Sequence, residues 1–160
     1  MSAARKSSAS TVSTRDAVFD AAAAQFSKSG FDGVSVDDIA RAAAVNKAMI
    51  YYHFADKLAL YRAVLADGLS RMGATVHEIA TGADTPARKL DRFIDAFVRM
   101  TEDRPWMPAL MLREIAEGAP RLDTDTMQHM RMVVGSFAAI LSQGQQRSEE
   151  HTSELQSRFG

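Results

Sequence analysis

Apolar residues recur three and four positions apart through most of the chain, and nearly every such stretch opens on a residue able to cap a helix. Val18, Phe19, Ala22, Ala23 and Phe26 follow a cap at Ser13 or Thr14 and stop at Gly30. Ser35, with Asp38 three residues on, forms a capping box before Val36, Ile39, Ala40 and Ala43. Asn46 caps a third helix through Ile50 and Tyr51 to about His53, and Asp56 a long fourth carrying Leu58, Tyr61, Val64, Leu65, Leu69 and Met72. Thr85 and Pro86 start a fifth with Leu90, Phe93, Ile94, Phe97 and Val98 on one stripe. Pro105 and Pro108 restart the chain for a sixth through Leu112 and Ile115, ended by Gly118 and Pro120. A last helix carries Met127, Met130, Val134, Phe137 and Leu141. No run alternates apolar and polar residues as a strand would, so the expected fold is all-α.

Composition narrows the chemistry. At 160 residues, 46% hydrophobic and 24% charged, the chain has the make-up of a packed globular protein. It has no cysteine, which removes disulfides, a thiol nucleophile and thiolate metal sites. No apolar run approaches the roughly 20 residues that cross a bilayer, and no membrane partner is expected. The net charge of -1 is unevenly spread. Met1 to Arg62 holds eight basic against six acidic residues, whereas Ala63 to Gln146 holds nine against eleven. Residues 1–13, rich in Ser and Ala with Arg5 and Lys6, read as a disordered arm, either a cationic contact to phosphate or a solvated leader.

Two short helices joined by a tight turn around Ala44 and Val45, with a third packed across them, are the ingredients of a helix-turn-helix. The second helix of that motif enters the major groove with its N-terminal residues on base edges. Asn46 and Lys47 stand there, where free backbone N–H groups favour phosphate. Tyr51, Tyr52 and His53 follow one turn later and Lys57 opens the next helix, all able to donate to phosphate oxygen, while Ala48 or Met49 can meet a thymine methyl. Spacing alone leaves a second reading open, in which the aromatic run is core and His53 is structural.

The stretch SVDDIARAAAVNKAMIYYHFADKLALY, Ser35 to Tyr61, resembles the DNA-binding signature of the TetR family of transcriptional repressors. It joins a capped helix, an Ile-Ala-Arg core, a Tyr-Tyr-His-Phe run and a Lys three residues after Phe54. The preceding Phe26 to Phe31 fits the same pattern. The resemblance implies a three-helix helix-turn-helix DNA-binding domain over 14–61, followed by a helical ligand-binding and dimerisation domain, here 62–146 and incomplete. It puts Lys47, Ala48, Met49 and Tyr51 against base edges, and Ser35, Asn46, Tyr52, His53 and Lys57 against phosphates. Ala44 and Ala48 stand where the family usually has Gly, so Ala44 must end its helix without the easy left-handed conformation of Gly, at a cost of about 1 kcal/mol.

Met-Leu-Arg-Glu-Ile followed by Gly118-Ala-Pro-Arg-Leu122 is similar to the regulatory half of many family members. There a small-molecule effector moves the recognition helices off a palindromic operator. Phe93, Phe97, Met100, Trp106, Met107, Met111, Met127 and Met130 are the candidate pocket residues, ordinary helical core being the other reading. Glu114 and Glu117, and Asp91 and Asp95, interleave with Arg88, Arg92, Arg99 and Arg113 and read as a solvated, salt-bridged face. No nucleophile motif, metal-ligand spacing or phosphate-cradling loop appears, so neither an enzyme nor a cofactor is expected.

The function implied is that of a cytoplasmic, ligand-released repressor, sequence-specific for double-stranded DNA. The alternative is a helical protein-interaction module whose helix-turn-helix no longer binds DNA. After Gln146 the stripe ends, and RSEEHTSELQS, Arg147 to Ser157, resembles the in-frame translation of a widely used short-read sequencing adapter. Residues 147–160 are therefore expected to be a non-native tail on a truncated gene. Family members usually continue for two more helices that pair as a homodimer. Their loss is expected to leave apolar faces of the fifth and last helices exposed.

Overall fold

In the computed structural model, which describes residues 13–159, the chain forms seven helices and, among the described residues, no strand. They are α1 (Thr14–Ser29), α2 (Val36–Ala42), α3 (Lys47–His53), α4 (Lys57–Thr81), α5 (Pro86–Asp103), α6 (Met107–Ala116) and α7 (Thr124–Phe159). The arm expected over 1–13 lies outside the described residues, apart from Ser13. Ser13 Oγ caps α1 by accepting from Asp16 N. The Ser35–Asp38 capping box forms with both of its bonds, and Asn46, Asp56 and Thr85 cap α3, α4 and α5. The Ser35 hydroxyl and backbone N–H hold the Asp38 carboxyl below its ordinary value, so this cap keeps its charge to lower pH than a free carboxyl would.

Two apolar cores lie along α4. The first joins Val18, Ala22 and Phe26 of α1, Ile39 of α2 and Ile50 of α3 to Leu60, Tyr61, Val64 and Leu65 of α4, with Leu110 of α6 closing it. The second collects Ile79, Ala96 and Ile140, with Leu90 and Phe93 packed against it. A buried lysine ties this far end together. Lys89 Nζ donates to the carbonyl of Ala80, in the last turn of α4, and to Gln143 Oε1 on α7, each at 2.8 Å. Its charge thus meets the partially negative end of α4.

Apolar side chains remain exposed on α5 (Ile94, Phe97, Val98) and α7 (Val134, Leu141), the two helices expected to show them, and also on α6 (Leu112, Ile115). No break marks Gln146. α7 runs on to Phe159, since nothing from Gln145 to Phe159 is proline or glycine and Arg, Glu, Gln and Leu are good helix formers.

Ala44 adopts φ 54° in the turn between α2 and α3. Val45 N donates back to Ala40 O at 3.0 Å across it, the six-to-one bond of a glycine-type helix end made by an alanine. Ala44→Gly is therefore expected to stabilise the chain by about 0.5–1 kcal/mol, through relief of left-handed strain. The measurement is the urea unfolding midpoint, and an unchanged or lower midpoint would count against strain at this turn.

Candidate nucleic-acid interface and its link to the second half

α3 is held by its inner side and offers the outer one. Ile50 is fully buried, whereas Tyr51 is 49% and Tyr52 79% exposed. Lys47, Ala48 and Tyr51 share the outer surface, being separated by one, three and four positions. Met49 is half-buried beside them. Lys47 Nζ lies 2.9 Å from Asp37 Oδ2 on α2, a half-exposed pair that raises the lysine pKa and keeps it charged. Asn46 Oδ1 accepts from Ala48 N at 2.9 Å.

Other predicted contacts are partly committed to the protein. The Ser35 hydroxyl is engaged in its capping box. His53 packs edge-on to Tyr52 with ring centroids 5.0 Å apart, and its Nε2 is buried without a hydrogen-bond partner. Lys57, read from sequence as a phosphate contact, points inward. Its Nζ donates to the carbonyls of Phe31 and Val34, each at 3.0 Å, and lies 4.1 Å from the Phe31 ring centroid. The ammonium replaces donors that the turn between α1 and α2 cannot supply itself, and so fixes the approach to α2.

The same turn is gripped by the second half of the chain. Glu114 of α6 is fully buried and accepts from Tyr61 Oη at 2.8 Å and from Arg121 N at 2.8 Å. The Arg121 guanidinium bonds Glu114, Glu117 and Asp32, the last at 2.8 Å, and lies 4.9 Å from the Phe31 ring centroid. Burial, more than the Glu114 hydrogen bond, raises the Tyr61 pKa, so the phenol remains a donor. Arg113 packs over Gly30, where a Cβ would stand 3.1 Å from Arg113 Cδ. Glu114 is therefore not on a solvated face as the charge pattern implied. Met107, Leu110 and Glu114 are all buried at helical spacing, and that spacing was the available signal.

Of the eight pocket candidates, Phe93, Phe97, Met100, Met107 and Met111 line one cavity of about 260 Å³ between α4, α5, α6 and α7. Gly68, Leu69 and Met72 supply its α4 wall and Val133 its α7 wall. Trp106, Met127 and Met130 lie outside it. Trp106 packs edge-on to Phe19 of α1, because the turn before α6 aims it at the first core. A wider groove of about 660 Å³, between the start of α5 and α7, includes Arg147 and Ser148.

A capped helix-turn-helix braced by α1, carried on a long helix that also builds a helical second half, defines a helix-turn-helix protein of two all-α parts. The profile of bacterial regulatory proteins of the tetR family matches residues 18–64. The chain is 27% identical over 137 residues to the HTH-type transcriptional regulator RutR of Escherichia coli K12, covering 86% of this chain and 64% of RutR. It thus spans just under two thirds of that relative's length. It is 43% identical over 47 residues to IcaR of Staphylococcus aureus strain Newman, a negative transcriptional regulator of the biofilm operon icaADBC. That match covers 29% of this chain and 25% of IcaR. The TetR-family regulator PfmR of Thermus thermophilus superposes with TM-score 0.68 at 26% identity, over 82% of this chain and 71% of PfmR. Residues 18–64 of this chain are thus similar to the DNA-binding segment of the tetR family.

Two substitutions check the geometry. Lys57→Ala is expected to cost about 2 kcal/mol in thermal or urea unfolding, the scale of hydrogen bonds from a charged donor. Unchanged stability together with weakened DNA binding would return Lys57 to the phosphates. Glu114→Ala strands the Tyr61 hydroxyl and Arg121, and is expected to cost about 3–5 kcal/mol in the same measurement.

Proposed function

We propose that the protein is a sequence-specific DNA-binding transcriptional regulator that reads duplex DNA with α3 and is released by a small molecule held between α4, α5, α6 and α7. The observation that carries the reading is the two-sidedness of α3, with Ile50 locked in the core while Lys47, Ala48, Tyr51 and Tyr52 are exposed on the outer side. Such a helix can enter a major groove without unpacking. Lys47, Ala48 and Tyr51 then face base edges, with Met49 at their margin. Asn46 and Tyr52 meet phosphates through their side-chain donors, and His53 joins them through a side-chain movement. Ser35 contributes by holding the start of α2.

The Lys47–Asp37 pair does not oppose this role. Exposed ion pairs contribute about 0–1 kcal/mol, so a phosphate or a guanine edge can displace Asp37 at little cost. Repression is supported by the likeness to IcaR, a negative regulator; cytoplasmic action and a two-fold palindromic operator read by a homodimer are further parts of this proposal.

A gel-shift titration against DNA upstream of the protein's own gene, at two salt concentrations and beside random DNA, tests it. Preferential retardation that weakens as salt rises is expected. Lys47→Ala should narrow the gap between specific and random DNA. Tyr52→Phe should weaken both alike and leave the salt slope unchanged, since a neutral hydroxyl releases no counterion. Equal retardation of both DNAs by the unaltered chain would leave the helix-turn-helix as a protein-interaction element instead.

A further inference from the structure

The cavity between α4, α5, α6 and α7 has a lining that restricts what can occupy it. Its walls are Met72, Met100, Met107 and Met111 with Phe93 and Phe97, completed by Gly, Leu, Pro and Val. No lining side chain carries a charge, an O–H or an N–H. Phe93 is fixed from behind by stacking on Phe137, ring centroids 4.6 Å apart. The thioethers are the adaptable part of the wall.

No arginine is among the cavity's lining residues. Arg71, Arg99 and Arg104 line a second depression, of about 240 Å³, which shares only Gly68, Met72 and Met100 with the cavity. Arg104 Nε and Arg71 Nε are moreover engaged by Asp67, at 2.7 and 3.1 Å. An anion or cation drawn past the mouth of the apolar cavity would lose hydration and find no counter-charge among the lining residues. A neutral hydrocarbon surface loses nothing by entering, and a dry apolar cavity holds water poorly.

We propose that this cavity binds a neutral, predominantly aliphatic or aromatic small molecule, and that it discriminates against carboxylates and amines of the same skeleton. The proposal rests on reading the cavity as the effector site. α4 limits the space through Gly68, where a Cβ would stand 2.7 Å from Met107 Sδ. The Met107 thioether occupies that notch, and a methyl there would drive it into the cavity.

The test titrates the 160-residue chain at pH 7.5 with 1-octanol, octanoate and octylamine, equal in chain length and different in charge. Trp106, the single tryptophan and the residue before Met107, reports by its fluorescence, and thermal unfolding provides a second readout. Saturable binding of 1-octanol, with octanoate and octylamine at least tenfold weaker, is expected. Gly68→Ala should weaken 1-octanol at least fivefold. Leu112→Arg, at a lining position that is 69% exposed, supplies a cation without disturbing the core and should bring octanoate to within threefold of 1-octanol. Octanoate or octylamine binding the unaltered chain as tightly as 1-octanol, or no saturable binding of 1-octanol, overturns the proposal. DNA retardation without any probe is measured separately. A chain that takes 1-octanol and ignores DNA keeps the ligand class and loses the regulatory reading, and one that binds DNA and not 1-octanol does the reverse.

Discussion

The carboxylate of Glu114 is fully buried, and the relation between the two halves of the molecule depends on how its charge is met. Its neighbours are a phenol from α4, a backbone N–H and a guanidinium from the segment after α6. Any rigid shift of α6 along α4 would strip at least one of these donors from a buried charge, which is far more costly than sliding one apolar surface over another. The apolar contacts of Leu110 with the first core provide attraction, and Glu114 adds register. Arg121 extends that register to the α1–α2 turn through Asp32 and the Phe31 face, and Lys57 secures the same turn from the start of α4. The entrance to α2 is thereby fixed from both sides, and α3 is placed by its packing on α2.

α6 serves both regions. Met107 and Met111 at its beginning and middle line the apolar cavity, and Glu114 near its end holds the junction. An occupant of the cavity can alter the helix-turn-helix only if it binds two arrangements of α6 with different affinity. Shifting such an equilibrium from 1:99 to 99:1 takes about 5.5 kcal/mol of differential affinity. Breaking the buried Glu114 cluster would consume most of that. The economical movement is one that keeps Glu114, Tyr61 and Arg121 together and carries Tyr61, and with it the start of α4, as a unit. Gly118 and Ala119, with φ of 85° and 58°, form the tight turn that keeps Arg121 close to Glu114 during such a movement.

What could be read in advance follows from the range of the interactions involved. The caps at Ser13, Ser35, Asn46, Asp56 and Thr85, the turn around Ala44 and the start of α3 are set within a few residues, and all were legible as local patterns. Glu114, Lys57 and Lys89 were not, because each is satisfied by a partner far along the chain or in another element, and charge interleaving describes only a residue's own helix. Trp106 was misplaced for a related reason. Its neighbours in sequence line the cavity, but a turn rather than a helix sets its direction, and Phe19 receives it. The continuation of α7 past Gln146 shows the limit of an apolar stripe as a boundary signal, since helix propensity alone can extend a helix that already has a packed base.

The charges of the molecule thus divide by how replaceable their partners are. Lys47 and Asp37 are side chains 45% and 61% exposed, and water or a phosphate oxygen can take either place. Such a pair orients a lysine without binding it strongly. Glu114 lies at the other extreme, where the loss of one partner leaves an uncompensated charge in an apolar core. On the proposed function, an interface that engages and releases DNA needs weak, exchangeable pairs on its outer face. It also needs fixed ones behind that face, so that α3 meets the groove as a rigid body and the ordering cost of binding stays small. The charge pairs of this chain are arranged in that order from the surface of α3 inward.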